Sequence, residues 1–382
     1  MIDIRNKKDC CGCTACVSVC PVQCIVMRRD REEGFDYPVA NPDICIGCGR
    51  CETVCPVLNP FPERHVSEAY AARSREDCQE SSSGGIFPKL AETVVTCEGV
   101  VYGAAFDSDF SVSHTSAEMM DDVARMQGSK YVQSELYSAF EDVKYELERG
   151  RKVMFAGTPC QVAGLLRSLG KDHEGLLTVD FACHGVPGPG LWEMYLREIE
   201  ARLGTRITDI RFRDKSRSWC HYDFVVNGRR TPYMDDPYMA LFLQDVTLRP
   251  SCYTCPVRNG RSGSDITLAD LWSVAASAPH MNDDKGVSLV CINTDKGRDA
   301  FDGIKPLIEL EKTDYGEAVM NNGGFAENVA VPARREEFFR GLNSTKDLYG
   351  YMSGFVIRPS AARRFVKYLR LNLSRLKRAL FS

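Results

Sequence analysis

The sequence predicts a two-part architecture, a small α+β domain at the N-terminus followed by a larger α/β domain. Three observations predict it. Cysteines crowd the first 55 residues in two spaced runs, Pro56, Pro60 and Pro62 break the chain behind them, and beyond that break short apolar runs alternate with segments of helical period. At 382 residues the chain is long enough for two or three domains with at least one sizeable core.

The cysteines define the first part. Cys10, Cys13, Cys16 and Cys20 stand in the order C-x2-C-x2-C-x3-C before Pro21, and Cys45, Cys48, Cys51 and Cys55 repeat it before Pro56, each 35 residues after its counterpart. Two or three residues between thiolates let a tight loop wrap sulfurs around the corners of an iron–sulfur cube, and the proline turns the chain away after the fourth. A pair of zinc sites would use two pairs of ligands per site and has no need of this register twice over. No C-x3-C-x2-C order occurs, which sets aside radical S-adenosylmethionine chemistry. Cys11 and Cys24 fall outside the register and are expected to be bystanders. Between the runs, IVMRR, Gly34 and FDYPV read as a hairpin joining two halves. The pattern resembles the bacterial two-cluster ferredoxins over residues 1 to about 60. That resemblance implies crossed ligation: one 4Fe-4S cluster on Cys10, Cys13, Cys16 and Cys55, the other on Cys45, Cys48, Cys51 and Cys20.

Composition narrows the class. Eighteen cysteines behind a start, MIDIRNKKDCC, that offers no signal peptide argue for metal or redox chemistry over a disulfide framework. No run of about 18 apolar residues could span a bilayer, so a cytoplasmic location is expected. Residues Phe355 to Ser382 carry eight Lys or Arg and no acid, which leaves −12 for residues 1–354 of a chain whose net charge is −4. An acidic body with a basic tail excludes a nucleic-acid partner, which would require basic residues interleaved with aromatics over a whole face. In that tail Phe365, Leu369, Leu373, Leu376 and Leu380 recur at helical spacing among the basic residues. This is a basic amphipathic helix, suited either to its own acidic body or to peripheral contact with an anionic membrane.

Beyond the prolines the elements follow in order. AYAAR is a short strand, the stretch after SSSGG to about Thr96 a helix, GVVYGAAF and SVSHT strands, and Tyr137 to Arg149 a helix. KVMFAG reads as a buried strand, PCQVAGLLRSL as a helix and LLTVDFAC as another strand. No G-x-G-x-x-G follows a strand, so the usual dinucleotide fingerprint is missing. The divisions expected are residues 1–62, 63–310 (in parts 63–150 and 151–310) and a C-terminal extension, 311–382.

Three segments suit an anionic ligand. Ser82, Ser83, Gly84 and Gly85 lie in SSSGG, which opens a helix whose free N–H groups could meet a phosphate or a flavin edge, or whose serines simply cap it. Gly128, Ser129, Lys130 and Tyr131 set a hydroxyl, a cation and an aromatic ring beside a flexible turn. Thr158 and Cys160 lie in GTPCQ, where a strand passes into a helix, the place where open α/β sheets bind ligands. The segment RFRDKSRSW adds Arg211, Arg213, Lys215 and Arg217, which either meet a pyrophosphate or an acidic substrate or face water.

Taken in order, SSSGGIFPKL, QGSKYVQS, GTPCQ, FACHG, CYTCP and DITLADLW resemble the beta subunit of the deazaflavin (coenzyme F-420) reducing hydrogenases and dehydrogenases, over roughly residues 67 to 300. The resemblance implies a flavin, usually FAD, beside a further 4Fe-4S cluster. Cys160 and Cys183 end buried-strand patterns, Cys252 and Cys255 form a C-x2-C pair, and all four fall where that family has cysteines; a zinc site is the competing reading. Cys78, Cys97, Cys220 and Cys291 have no partner at ligand spacing and are expected to pack as small apolar residues.

The fold expected is thus an α+β ferredoxin-like N-terminal domain followed by a larger α/β flavin and iron–sulfur domain. Function follows from the carriers, since clusters move single electrons and a flavin can collect two. The reading is an oxidoreductase that takes electrons from an external donor such as reduced ferredoxin or NAD(P)H and reduces an unknown organic substrate at the flavin. His184 and Lys130 are its candidate catalytic groups, His184 as a proton donor at neutral pH or as a partner of cluster sulfurs. Alternatives are an electron-transfer subunit linking deazaflavin, NAD(P)H or ferredoxin to a catalytic partner, and a non-enzymatic redox sensor.

Overall fold

A computed structural model of the protein describes residues 1–319, 322, 325 and 327–358. The basic segment from Phe365 to Leu380 lies outside the described residues.

The N-terminal region is small because two tight loops do most of its work. Each cysteine run ends in a single helical turn, α1 (Ala15–Ser18) and α2 (Arg50–Thr53), and each turn follows a left-handed residue, Thr14 and Gly49, that reverses the loop. Between them β1 (Ile25–Arg29) and β2 (Asp36–Ala40) form the expected antiparallel hairpin, with Ile25 opposite Ala40.

The larger region is organised around one eight-stranded sheet. Its strands are β3 (Glu68–Arg73), β4 (Val100–Phe106), β5 (Val112–Ala117), β6 (Val153–Gly157) and β7 (Leu176–Phe181). A separate three-stranded sheet follows, formed by β8 (Ile210–Asp214), β9 (Asp223–Val226) and β10 (Arg229–Pro232). The main sheet is then completed by β11 (Ile266–Asp270), β12 (Ser288–Ile292) and β13 (Glu309–Thr313), in the order β13-β3-β12-β11-β7-β6-β4-β5. Strands β4, β6, β7 and β11 run parallel at its centre, and the remaining pairings are antiparallel. Four parallel strands bring four carboxyl ends to one edge, the edge at which such sheets hold ligands. The boundary expected after residue 310 falls inside β13, because Leu310 to Thr313 pair with Ala72 to Ala69 of β3.

Helices cover both faces. On one, α3 (Ile86–Val95) and α4 (Met120–Met126) pack with the helix Asp295–Ile304 over Val101, Met154, Val179 and Val290. On the other lie α5 (Ala139–Glu148) and α6 (Pro159–Leu169). The start and stop of α6 are local chemistry: Thr158 and Gln161 form a reciprocal capping box, Pro159 occupies the first turn, and Gly170 ends it at φ 70°. A third, aromatic core gathers α7 (Pro189–Leu203), α8 (Pro237–Leu243) and the small sheet around Trp192, Tyr195, Phe212 and Tyr238.

The N-terminal region shares these cores. Cys11, Cys13, Ala15 and Val54 pack with Phe140, Val143, Val162 and Leu165 of α5 and α6. Phe35, fully buried, enters the aromatic core beside Leu191 and Trp192, a burial worth about 2 kcal/mol. Its neighbour Gly34 sits at φ 74°, and any side chain there would come within 2.9 Å of Gly190 Cα, so glycine lets the hairpin turn meet the start of α7. Arg29 reaches across to Glu193 at 2.8 Å and Glu135 at 3.3 Å, and Arg335 holds Glu33 at 2.5 Å.

Candidate functional site

All eighteen thiols are free of disulfides. The structure gathers twelve of them into three sets. Cys20, Cys45, Cys48 and Cys51 line a single cavity together with Cys24, Ile46 and Met1. In the second set Cys16 has Cys10 and Cys55 as close electrostatic neighbours, Cys55 has Cys10, and Cys13 has Cys16. Burial first, and then crowding by Cys10, Cys55 and Cys51, pushes the Cys16 thiol up to about 12. The cavity brings Cys20 to Cys45, Cys48 and Cys51, and Cys51 is also an electrostatic neighbour of Cys16 and Cys55, so the two groups adjoin.

The third set is assembled from three segments. Cys160 sits in the first turn of α6, Cys183 two residues beyond β7, and Cys252 and Cys255 on the 3-10 turn Pro250–Thr254 and at its end. Cys183 has Cys252, Cys160 and Cys255 as neighbours, and burial pushes Cys252 up to about 12. Buried Arg258 braces the set from behind, donating to the carbonyls of Cys183 (3.0 Å), His184 (3.0 Å) and Cys252 (3.2 Å). Thr158 Oγ1 lies 3.3 Å from Cys160 Sγ.

In the third set neighbouring thiols and burial hold all four cysteines protonated in the absence of countercharge, and ligation needs thiolates, so this set suits a group that carries positive charge of its own. Among the described residues no three Cys, His, Asp or Glu side chains are placed to hold one metal ion. A zinc ion draws its ligands to about 2.3 Å from one point, whereas a cubane spreads them over its corners. The donor sets and the shared cavity wall fit 4Fe-4S clusters.

Two sets meet through a residue expected to be a bystander. The Cys11 thiol interacts with both Cys13 and Cys160, joining the first cysteine loop to α6. The contact is close on the backbone side too: a side chain on Gly164 of α6 would come 3.0 Å from Cys13 Sγ. Cys24 likewise lies 3.5 Å from Cys20, sulfur to sulfur. Cys78 and Cys291 are buried as expected, but Cys97 and Cys220 are exposed. They lie in the turn after α3 and in the loop after Trp219, where no core reaches them.

The predicted ligand segments converge on the carboxyl edge of the sheet. Ser82 Oγ accepts from Ser129 N at 2.6 Å and from Ser129 Oγ at 2.8 Å, joining SSSGG to QGSKY. Ser83 Oγ donates to Val287 O, and Gly84 N donates to Ser288 Oγ; a side chain on Gly84 would meet Ala72 O at 2.4 Å. Gly85 is the left-handed residue from which α3 starts, while Gly128 turns in open space. Lys130 Nζ donates to the carbonyls of Arg125, Gln127 and Gly128 at the end of α4. Desolvation pushes Lys130 down to about 7. Tyr131 stacks on Phe242 at 4.6 Å, and His184 meets the same ring edge-on at 5.6 Å, so Phe242 links the third cysteine set to this edge. His184 Nε2 lies 2.5 Å from Asp245 Oδ1.

The cations of RFRDKSRSW have partners inside the protein. Arg213 pairs with Asp270 at 2.7 Å and lies over Tyr222, Arg211 lies 3.8 Å from Asp209, Lys215 Nζ donates to Ser83 O at 2.7 Å, and Arg217 lies 3.3 Å from Asp223. At the same edge the rings of Phe181 and Trp272 stay 37% and 39% exposed, unusual for aromatics beside a core. Among the described residues no helix is long and apolar enough to cross a membrane.

Fold and site together define an iron–sulfur protein, a two-cluster N-terminal region on an α/β oxidoreductase domain. Residues 9–59 match the family model of the 4Fe-4S dicluster domain. Residues 150–317 match the family model for the C terminus of the coenzyme F420 hydrogenase/dehydrogenase beta subunit. A solved structure of the F420-reducing NiFe hydrogenase complex from Methanosarcina barkeri, derivatised with xenon, has a chain similar to this one at 17% identity and a TM-score of 0.44, covering 66% of this chain and 83% of that one. No curated protein matches.

Proposed function

We propose that the protein is an iron–sulfur flavoprotein oxidoreductase in which electrons enter at the N-terminal region and leave to an organic substrate at the carboxyl edge of the large sheet. The observation that carries this reading is the Cys11 junction, which places the loop of Cys10, Cys13 and Cys16 directly against Cys160. When bound, three 4Fe-4S clusters would carry electrons singly and a flavin, FAD by resemblance, would pair them for a two-electron reduction. The cysteine sets would seat the clusters, and Arg258 and Thr158 would fix the ligands from the large domain. Ser82 and Ser129 offer hydroxyls, Lys130 a cation and Trp272 an exposed ring toward a flavin. His184, facing Asp245, is the candidate proton donor at this edge.

A second reading has its own support. The matching family is named for a beta subunit, which favours a chain that passes electrons between a deazaflavin or NAD(P)H and a catalytic partner. Anaerobic preparation with iron, sulfide and flavin counted per chain, followed by assay with a reduced viologen, separates the two. About twelve irons, one flavin and substrate reduction by the chain alone support the first reading. Near eight irons, or zinc at Cys252 and Cys255, would remove the third cluster, and a fully loaded chain inert without a partner would favour the second reading.

A further inference from the structure

Arg249 is 1% exposed, and among the described residues no carboxylate lies within ion-pair distance of it. Its guanidinium instead spans the junction between the cysteine sets. Nε donates to Cys10 O at 2.7 Å, Nη2 to Asp36 O at 2.8 Å and, at 3.5 Å, to Cys10 Sγ; Nη1 donates to Gln133 Oε1 at 2.9 Å. Gln133 in turn donates to Cys11 O. The rings of Tyr37 and Phe35 lie beside the guanidinium, at 4.4 and 5.4 Å. Arg249 also stands three residues before Cys252, whose N–H donates to the Arg249 carbonyl.

A buried guanidinium without an acid is costly unless something anionic faces it. Of the four acceptors it meets, two belong to Cys10, the carbonyl and the sulfur, while Asp36 O and Gln133 Oε1 are neutral; a cubane held by four thiolates is an anion whose charge grows on reduction. Net charge, hydrogen bonds to sulfur and exposure set the potential of such a cluster. Burial of the Cys10 loop alone would make its cluster harder to reduce than the exposed one; a fixed positive charge in a low dielectric opposes that. The exposed set has cations too, the Met1 ammonium and Arg50 on the wall of its cavity, but both sit at the surface and are screened, the ammonium also paired with Glu52 at 3.1 Å.

We propose that Arg249 is a positioning residue that raises the reduction potential of the cluster held by Cys10, Cys13, Cys16 and Cys55 above that of the cluster held by Cys20, Cys45, Cys48 and Cys51. An electron delivered by a low-potential one-electron donor then leaves the exposed cluster, which is oxidised, for the buried one, which is reduced, with no proton moved. This rests on the cluster assignment made above.

The test is an EPR-monitored redox titration of the full chain prepared anaerobically, with Cys48→Ser identifying the exposed cluster's signal. Arg249→Met is expected to shift the buried cluster's midpoint to more negative potential and leave the other in place, and Arg249→Lys to shift it less. Two intact signals that ignore both substitutions would overturn the assignment of Arg249. Should Arg249→Met not retain its iron, the unaltered protein decides, because a buried-cluster midpoint at or below the exposed one also overturns it. Absence of any cubane signal in the unaltered chain would instead strike the cluster reading itself, and this inference with it.

Discussion

Cys10, Cys13 and Cys16 and their counterparts Cys45, Cys48 and Cys51 stand on loops of one spacing, yet the first loop is sealed against α5 and α6 while the second faces outward. Cys10 and Cys13 are 8% and 7% exposed and Cys16 is half-buried; in the second loop Cys51 is buried too, but Cys48 lies open and Ile44 and Ile46 around Cys45 stay 50% and 64% exposed. Spacing therefore decides which sulfurs can share a cluster, and the neighbours decide what that cluster faces. The buried loop has Arg249, Gln133 and Cys160 as neighbours; the exposed loop has solvent and two isoleucines that another protein's surface could cover.

The largest effect that bears on this contrast is loss of a cluster. Cys20→Ser should abolish or alter the EPR signal of the exposed cluster and spare the buried one, and Cys55→Ser should do the reverse. If each substitution struck the cluster of its own run, the pairing of buried and exposed sets would dissolve.

A smaller effect concerns the seat of the buried loop. His114 is buried between Ala156 O (3.1 Å) and Ser134 Oγ (3.0 Å), next to the Gln133 that holds Cys11. Burial pushes its pKa down from 6.5 to about 4. The folded value lies below the unfolded one, so the stability it allows is complete above about pH 6.5 and is lost as pH falls through about 4, roughly 3 kcal/mol in all. His114→Gln should lack this loss in denaturant titrations across that range. Asp180 and Asp236, pushed up to about 6 by burial, act in the opposite sense, lowering stability as pH rises through 6, in both proteins alike. Equal pH profiles for the two would mean His114 is not the acid-sensitive contact.

The smallest effect is at the hairpin. Arg29→Met removes the bridges to Asp36, Glu135 and Glu193, which are partly exposed, and should cost about 1 kcal/mol of stability while leaving both cluster signals unchanged. A change in either signal would mean that the hairpin, and not the junction at Cys11, positions the loops.

What the sequence made legible follows how far its signals reach. The two cysteine runs, the hairpin and α6 are announced by neighbours within a few residues: thiol spacing, Gly34, and the Thr158–Gln161 box closed by Gly170. The third cysteine set is legible as one place only through the family resemblance, since nothing local ties Cys160 to Cys252. Arg249 reads in sequence as an ordinary cation before a proline, and Gln133 as one more polar residue. Cys11 looked idle because its partner, Cys160, lies 149 residues on. The strand β13 escaped for the opposite reason: ELEKT is polar and lies at the sheet edge, so it carries no apolar signature and is a strand only because β3 pairs with it.

The place of β3 has a consequence for how the molecule comes into being. It is the first strand of the large sheet to leave the ribosome, but its partners are β12 and β13, with Tyr70 opposite both Val290 and Lys312. At roughly 5–20 residues per second, on the order of ten seconds or more of translation separate them. Throughout that interval the nascent chain has both cysteine runs and, once Cys255 has emerged, the third set as well, while β3 still lacks a place to lie. Every cysteine of the three sets is therefore made before the sheet beneath them closes, and an unclaimed strand waits in the cell for partners not yet made.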